Sequence, residues 1–248
     1  IIVALVLARL AKYIRWRAFS RKLVNEYFAY ALPIIPAAIS WWFMTMADRW
    51  FIVYFLDVSA NGIYAIALKV AAVLMMLSHI FSLAWKDNVI TTFRERDRKP
   101  YYDRVYIMYV RILALAVLML SLLAKPLIHF FIGAAYAEAW RYSGILLLAT
   151  LFHALALFWS SSFHAAKQTN SIFFSTLVGA GINIILNLFL TPIFGLYGVA
   201  VATFIAFFIT WVMRVYLAKP FFKVNLRVGE LSVWMMLIFG GIGLTLFL

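Results

Sequence analysis

The chain has 248 residues, of which 67% are hydrophobic and only 12% charged, with a net charge of +13. So few charges cannot cover a water-soluble domain, and the surplus apolar surface needs lipid to face. The positive charge does not point to nucleic acid, because Lys and Arg fall in short clusters between long apolar runs rather than on one face of a soluble fold.

Residues 1–10 begin without Met inside an apolar run, and the positive charges follow that run instead of preceding it as in a signal peptide. They read as the end of a transmembrane helix whose start is missing, so the chain is expected to be a fragment. Residues 11–26 differ in kind. Ile14, Phe19, Leu23 and Val24 fall roughly on one helical face, with Lys12, Arg15, Arg21 and Lys22 elsewhere. This predicts either an amphipathic linker lying on the anionic inner leaflet or an ordinary basic loop.

A bilayer core takes about 20 helical residues, and seven further spans are predicted at 27–55, 62–90, 104–131, 139–165, 171–194, 196–217 and 231–248. The connections 57–61, 132–138 and 191–195 carry no Lys or Arg. The intervening ones are basic: Arg94, Arg96, Arg98, Lys99 and Arg104; then Lys167; then Arg214, Lys219, Lys223 and Arg227. Under the positive-inside rule the basic loops are cytoplasmic and the Leu248 end is extracytoplasmic. The fold class expected is all-α, a polytopic transmembrane bundle.

Several polar residues lie inside the predicted spans. Asp48 and Arg49 precede the 57–61 connection by about the distance at which Lys69 follows it. At 1.5 Å per residue, Arg49 and Lys69 then share a level roughly 12 Å below the helix ends. Two cations against one carboxylate suit an anionic group such as a diphosphate or an acidic sugar, or else Asp48 pairs with Arg49 or Lys69 and pins the hairpin. Lys86 and Asp87 read as snorkelling to the interface. Pro33 and Pro36 remove backbone hydrogen bonds inside a long span and are hinge candidates, and Pro126 is expected to kink its helix. Asn183 and Asn187 share a helix face with Gly179, which predicts close packing with interhelical hydrogen bonds or a direct substrate contact. Trp41, Trp42, Phe158 and Trp159 read as belt or core.

Other chemistry is not supported. There is no Cys, which excludes disulfides and thiolate sites. The four His, at 79, 129, 153 and 164, have no spacing that sets two on one helix face. No acidic pair inside the membrane suits a metal, and no phosphate-binding loop is present. Neither catalytic residues nor a metal or cofactor are expected, and the coupling ion is open.

The segments Met46-Ala47-Asp48-Arg49 and Gly62-Ile63-Tyr64 with Ala67 and Lys69 resemble the polysaccharide-transport flippases of the multidrug/oligosaccharidyl-lipid/polysaccharide exporter superfamily. Residues 133–140 are similar to that family's external turn, and Lys167-Gln168-Thr169 to the following cytoplasmic turn. The fullest match runs from Asn183 through Asn187, Pro192, Gly195, Gly198, Ala200 and Ala202 to Thr203. There Pro192 and Gly195 make a helix–helix turn, while Gly198 and Ala202 allow close approach.

The resemblance covers about residues 27–220. It implies that 27–217 is the C-terminal six-helix lobe of a two-lobed carrier, followed by a cytoplasmic loop at 218–230 and an extra helix. It also implies flipping of a polyprenyl-diphosphate-linked oligosaccharide across the bacterial inner membrane for surface polysaccharide (such as O-antigen), by alternating access through a cationic cavity. Membrane lipid and other polysaccharide-assembly proteins would be its partners. A cation-coupled small-molecule exporter and a membrane-embedded envelope-assembly enzyme are the competing readings.

Overall fold

The computed structural model describes residues 20–247. The predicted helix end at 1–10 and most of the basic segment 11–26 therefore lie outside the described residues. Helices follow in the order α1 (Arg21–Ala31), α2 (Ile34–Phe55), α3 (Val58–Thr92), α4 (Arg98–Phe131), a 3-10 turn (Ala134–Ala139), α5 (Trp140–Ala165), α6 (Thr169–Phe194), α7 (Leu196–Ala218) and α8 (Val228–Phe247). Among the described residues six stretches are long and apolar enough to cross a membrane, the first being α1 and α2 together. The architecture is an all-helical multi-pass bundle, with basic connections at one end and neutral ones at the other.

Local chemistry sets the boundaries. Asp57 caps α3, its side chain accepting from Ala60 N at 2.6 Å. The expected single helix over 27–55 is two helices meeting at Leu32 and Pro33, because Pro33 has no N–H to continue the ladder. Pro36 sits in the first turn of α2, where a missing N–H costs nothing. Around Pro126, by contrast, α4 runs on without interruption to Phe131. The predicted last span is present as α8, whose apolar described stretch, Val228–Gly243, is shorter than the six others. None of the α1 residues is buried.

Helix α5 forms the axis of the bundle, buried along nearly its whole length from Ser143 to Phe163. Several of its hydroxyls bond to backbone one turn earlier: Ser143 donates to Ala139 O at 3.0 Å and Thr150 to Leu146 O at 2.9 Å. A polar side chain bonded this way can sit in an apolar core without an orphaned donor. At the basic end Trp85, Tyr102, Tyr106, Phe158, Trp159 and Phe222 stack and edge together, and Trp85 Nε1 donates to Phe158 O at 3.2 Å. Phe158 and Trp159 are thus core. Two ties hold the connection after α7 down: Asn225 N donates to Asp103 Oδ1 at 2.7 Å, and Arg98 Nη2 donates to Phe221 O at 3.1 Å.

Candidate functional site

Two polar features lie inside the lobe, at different depths. The first centres on Asp48 of α2, which is 5% exposed. Its Oδ1 accepts from Asn183 Nδ2 at 3.1 Å and Asn187 Nδ2 at 2.8 Å, both on α6. Its Oδ2 accepts from Tyr64 Oη of α3 at 3.0 Å and from Thr203 Oγ1 of α7 at 2.8 Å. One carboxyl therefore gathers three other helices around α2. Asn183 and Asn187 are wholly buried, so their shared face serves interhelical hydrogen bonding in this structure.

Arg49 and Lys69 do not join this cluster. Both are exposed, and among the described residues neither forms an ion pair with Asp48. Both lie off the inward faces of their helices. A helix turns about 100° per residue, so with Asp48 inward Arg49 swings off that face. On α3 the inward stripe runs Tyr64, Ala67, Ala71, Leu74 and Ser78, and Lys69 lies off it. Lys86 is half-buried and Asp87 exposed near the basic end of α3.

The second feature is a cavity of about 420 Å³ between α2, α3, α5, α6 and α7, in the half of the bundle nearer the basic end. Its polar lining includes Arg214, His79, His153 and His164, and its lining contains no carboxylate. Trp41 stacks on His153 with ring centroids 4.4 Å apart and on Phe207 at 5.5 Å, so Trp41 packs against the core and also forms a wall of the cavity. His79 and His153 approach to 6.2 Å. The expectation that no two His share a helix face does not hold: His153 and His164 are three turns apart on α5 and line one space, which His79 of α3 joins. At the mouth, Tyr30 Oη of α1 and His164 Nδ1 are hydrogen-bonded at 2.8 Å. No group of His and acidic residues that could hold a metal exists among the described residues.

Arg214 was counted from sequence with the basic loop after α7, but it is one turn inside that helix and 7% exposed. Its guanidinium donates to Ser175 Oγ at 3.1 Å, Ala156 O at 3.1 Å and Thr176 Oγ1 at 3.0 Å.

Comparison with solved structures fixes what this arrangement of helices is. The chain superposes on the MATE transporter VcmN of Vibrio cholerae in its bent form with a TM-score of 0.65 and 18% identity, over 89% of this chain and 53% of that one. It has the fold of half a MOP-superfamily transporter. A MOP-superfamily transporter from Pyrococcus furiosus, described as having a binding pocket of reverse polarity that suggests a different function, matches at 0.63 and 18% identity over 82% of this chain and 47% of that one. An outward-facing multidrug resistance MATE family transporter matches at 0.62 and 17% identity, with the same two coverages of 82% and 47%. This chain spans about half the length of these transporters. No protein-family model matches it, and no curated protein does. The all-helical bundle expected from the sequence thus has the fold of half a MOP-type transporter.

Proposed function

We propose that the chain is one lobe, the second, of a carrier that flips a polyprenyl-diphosphate-linked oligosaccharide across the bacterial inner membrane. The observation that carries this reading is the polarity of the cavity. A guanidinium, three imidazoles and a stacked aromatic wall line it without a carboxylate, while Asp48 is sealed by its own hydrogen bonds outside it. A cation exporter needs the opposite, an acidic cavity, and neither Asp48 nor Asp87 lines this space. Fold alone does not choose the cargo, since the Pyrococcus furiosus transporter of this fold is itself described by a pocket of reverse polarity.

The positive-inside rule then sets the basic connections, and with them the cavity's nearer end, toward the cytoplasm where such lipids are assembled. Pro33 and Pro36, at the junction of α1 and α2, are placed to act as the hinge when the lobe changes its packing.

Proteoliposomes carrying the complete two-lobed protein test this directly. A lipid-linked oligosaccharide in the inner leaflet should become accessible to an external glycosidase faster than in protein-free vesicles. Transport of an organic cation dye in its place, with the sugar still protected, would support the exporter reading and end this one.

Arg49 and Lys69 offer a second cationic level on the lobe's surface, expected to lie along the path the substrate takes past the partner lobe. In a deletion strain, the double variant Arg49→Ala/Lys69→Ala is expected to restore only a small part of the surface polysaccharide. Full restoration would remove both residues from the path.

A further inference from the structure

A buried charge normally keeps a counter-ion, because leaving water costs several kcal/mol that a paired charge recovers. Arg214 departs from that rule. Its three hydrogen bonds all go to neutral oxygens, and among the described residues no carboxylate forms an ion pair with it. A guanidinium has five N–H groups. Three are spent on Ser175, Ala156 and Thr176, which leaves one hydrogen each on Nη1 and Nη2. The neutral acceptors belong to α5 and α6, so the group is held in place by two helices and needs no rearrangement to bind.

Its surroundings narrow the ligand. The cavity it lines also holds the hydroxyl of Ser160 and the imidazoles of His79, His153 and His164, whereas the Thr210 hydroxyl already donates to Ala206 O at 2.8 Å. Such a set, one fixed cation with several neutral donors and no acid, matches the many acceptor oxygens of a phosphate ester better than it matches a neutral or cationic group. At about 420 Å³ the space falls within the usual range for a small-molecule site. That admits a headgroup and one adjoining ring, not a whole oligosaccharide. The stack of Trp41, His153 and Phe207 offers that ring a flat wall.

We infer that Arg214 anchors a binding site for an organic phosphate at the basic end of this cavity, with the Trp41–His153–Phe207 stack receiving the group attached to it. The site rests on the carrier reading for its place in transport, and on its own chemistry for its ligand. The phosphate could belong to the transported lipid or to a resident phospholipid, and the probes below separate the two.

The complete protein in nanodiscs is titrated with geranyl diphosphate, geraniol, inorganic diphosphate and short-chain phosphatidylglycerol, with Trp fluorescence as the signal. Geranyl diphosphate should bind at least about tenfold more tightly than geraniol, and Arg214→Gln should erase that difference, as expected for a lost charged hydrogen bond. Arg214→Lys, which keeps the charge, should retain part of it, and Arg111→Gln, an exposed arginine, all of it. Tighter binding of phosphatidylglycerol than of geranyl diphosphate keeps the site and assigns it to a resident lipid. If Arg214→Gln does not fold, the wild-type order of probes and the Arg214→Lys variant decide. Geraniol binding as well as geranyl diphosphate, or variants at Arg214 binding like wild type, overturns the site. Phosphate binding that depends on Arg214 in a protein that moves no lipid-linked sugar leaves the site standing and ends the carrier reading. Sugar transport by a protein whose Arg214 variants bind geranyl diphosphate like wild type does the reverse.

Discussion

Replacing Asp48 with alanine is expected to destabilise the lobe by about 2–3 kcal/mol, measured by unfolding in mixed micelles titrated with denaturing detergent. Interhelical hydrogen bonds in membrane proteins average about 0.6 kcal/mol each, and Asp48 accepts four of them. Their loss alone gives about 2.4 kcal/mol. The alanine variant also leaves the amides of Asn183 and Asn187 pointing at a methyl group inside an apolar core, since both residues are wholly buried. Thr203 suffers less, because its hydroxyl already has Val199 O at 3.0 Å as an alternative acceptor.

Asp48→Asn separates shape from charge. Its amide oxygen can keep the two asparagine donors, and its NH2 can face Tyr64 and Thr203, whose hydroxyls rotate to accept. That variant should lose about 1 kcal/mol or less. A stable Asp48→Ala would show that the network does not hold the helices together, and an asparagine variant as damaged as the alanine one would show that the carboxylate itself is needed. Transport by the asparagine variant then decides whether Asp48 has a duty beyond joining helices.

The contrast between Asp48 and Arg214 shows what the sequence can reveal in a membrane lobe. Spans are legible because lipid requires about 20 apolar residues in succession, and the break at Pro33 because an imino acid cannot donate. Depth can be estimated as well, since rise per residue is constant. Azimuth is much less legible. On helices as uniformly apolar as α2 and α3, little in the pattern says which face turns inward, and the outward placement of Arg49 and Lys69 follows from packing alone.

Arg214 was hidden for a related reason. It stands at the head of a basic run with Lys219, Lys223 and Arg227, and although the predicted span 196–217 contains it, only packing reveals that its side chain turns inward against α5 and α6. Of the three cavity histidines, His153 and His164 stand eleven residues apart on α5, three full turns and hence one face, which spacing along the helix reveals; only His79, on α3, is brought to them by packing alone. The asparagine pair was findable, because a four-residue repeat of amides beside Gly179 marks a packed face whatever it faces.

The turn from α6 into α7 was findable for the same reason, and it yields the second large effect: Gly198→Ala is expected to cost about 3 kcal/mol. A Cβ built on Gly198 would lie 2.2 Å from Leu190 O, 2.5 Å from Leu190 C and 3.0 Å from Thr191 N. All three are backbone atoms of α6, so no side-chain rotation relieves the clash. The helices must part, which puts the substitution at the upper end of the usual overpacking range of about 1–3 kcal/mol. Nor can the turn absorb the shift easily, because Gly195 already holds φ 57°, ψ −135°, a conformation open essentially to glycine alone. Gly181, on α6, has nothing within 4 Å of its would-be Cβ. There the same change should stabilise by up to about 1 kcal/mol through helix propensity. Opposite signs at two helical glycines would establish close backbone approach as the cause; equal effects would refute it. Parting α6 from α7 also draws Thr203 away from Asn183, now 3.4 Å apart, and loosens both around Asp48. The variants Gly198→Ala and Asp48→Ala should therefore be less damaging together than the sum of their separate costs, as for residues that act on one network.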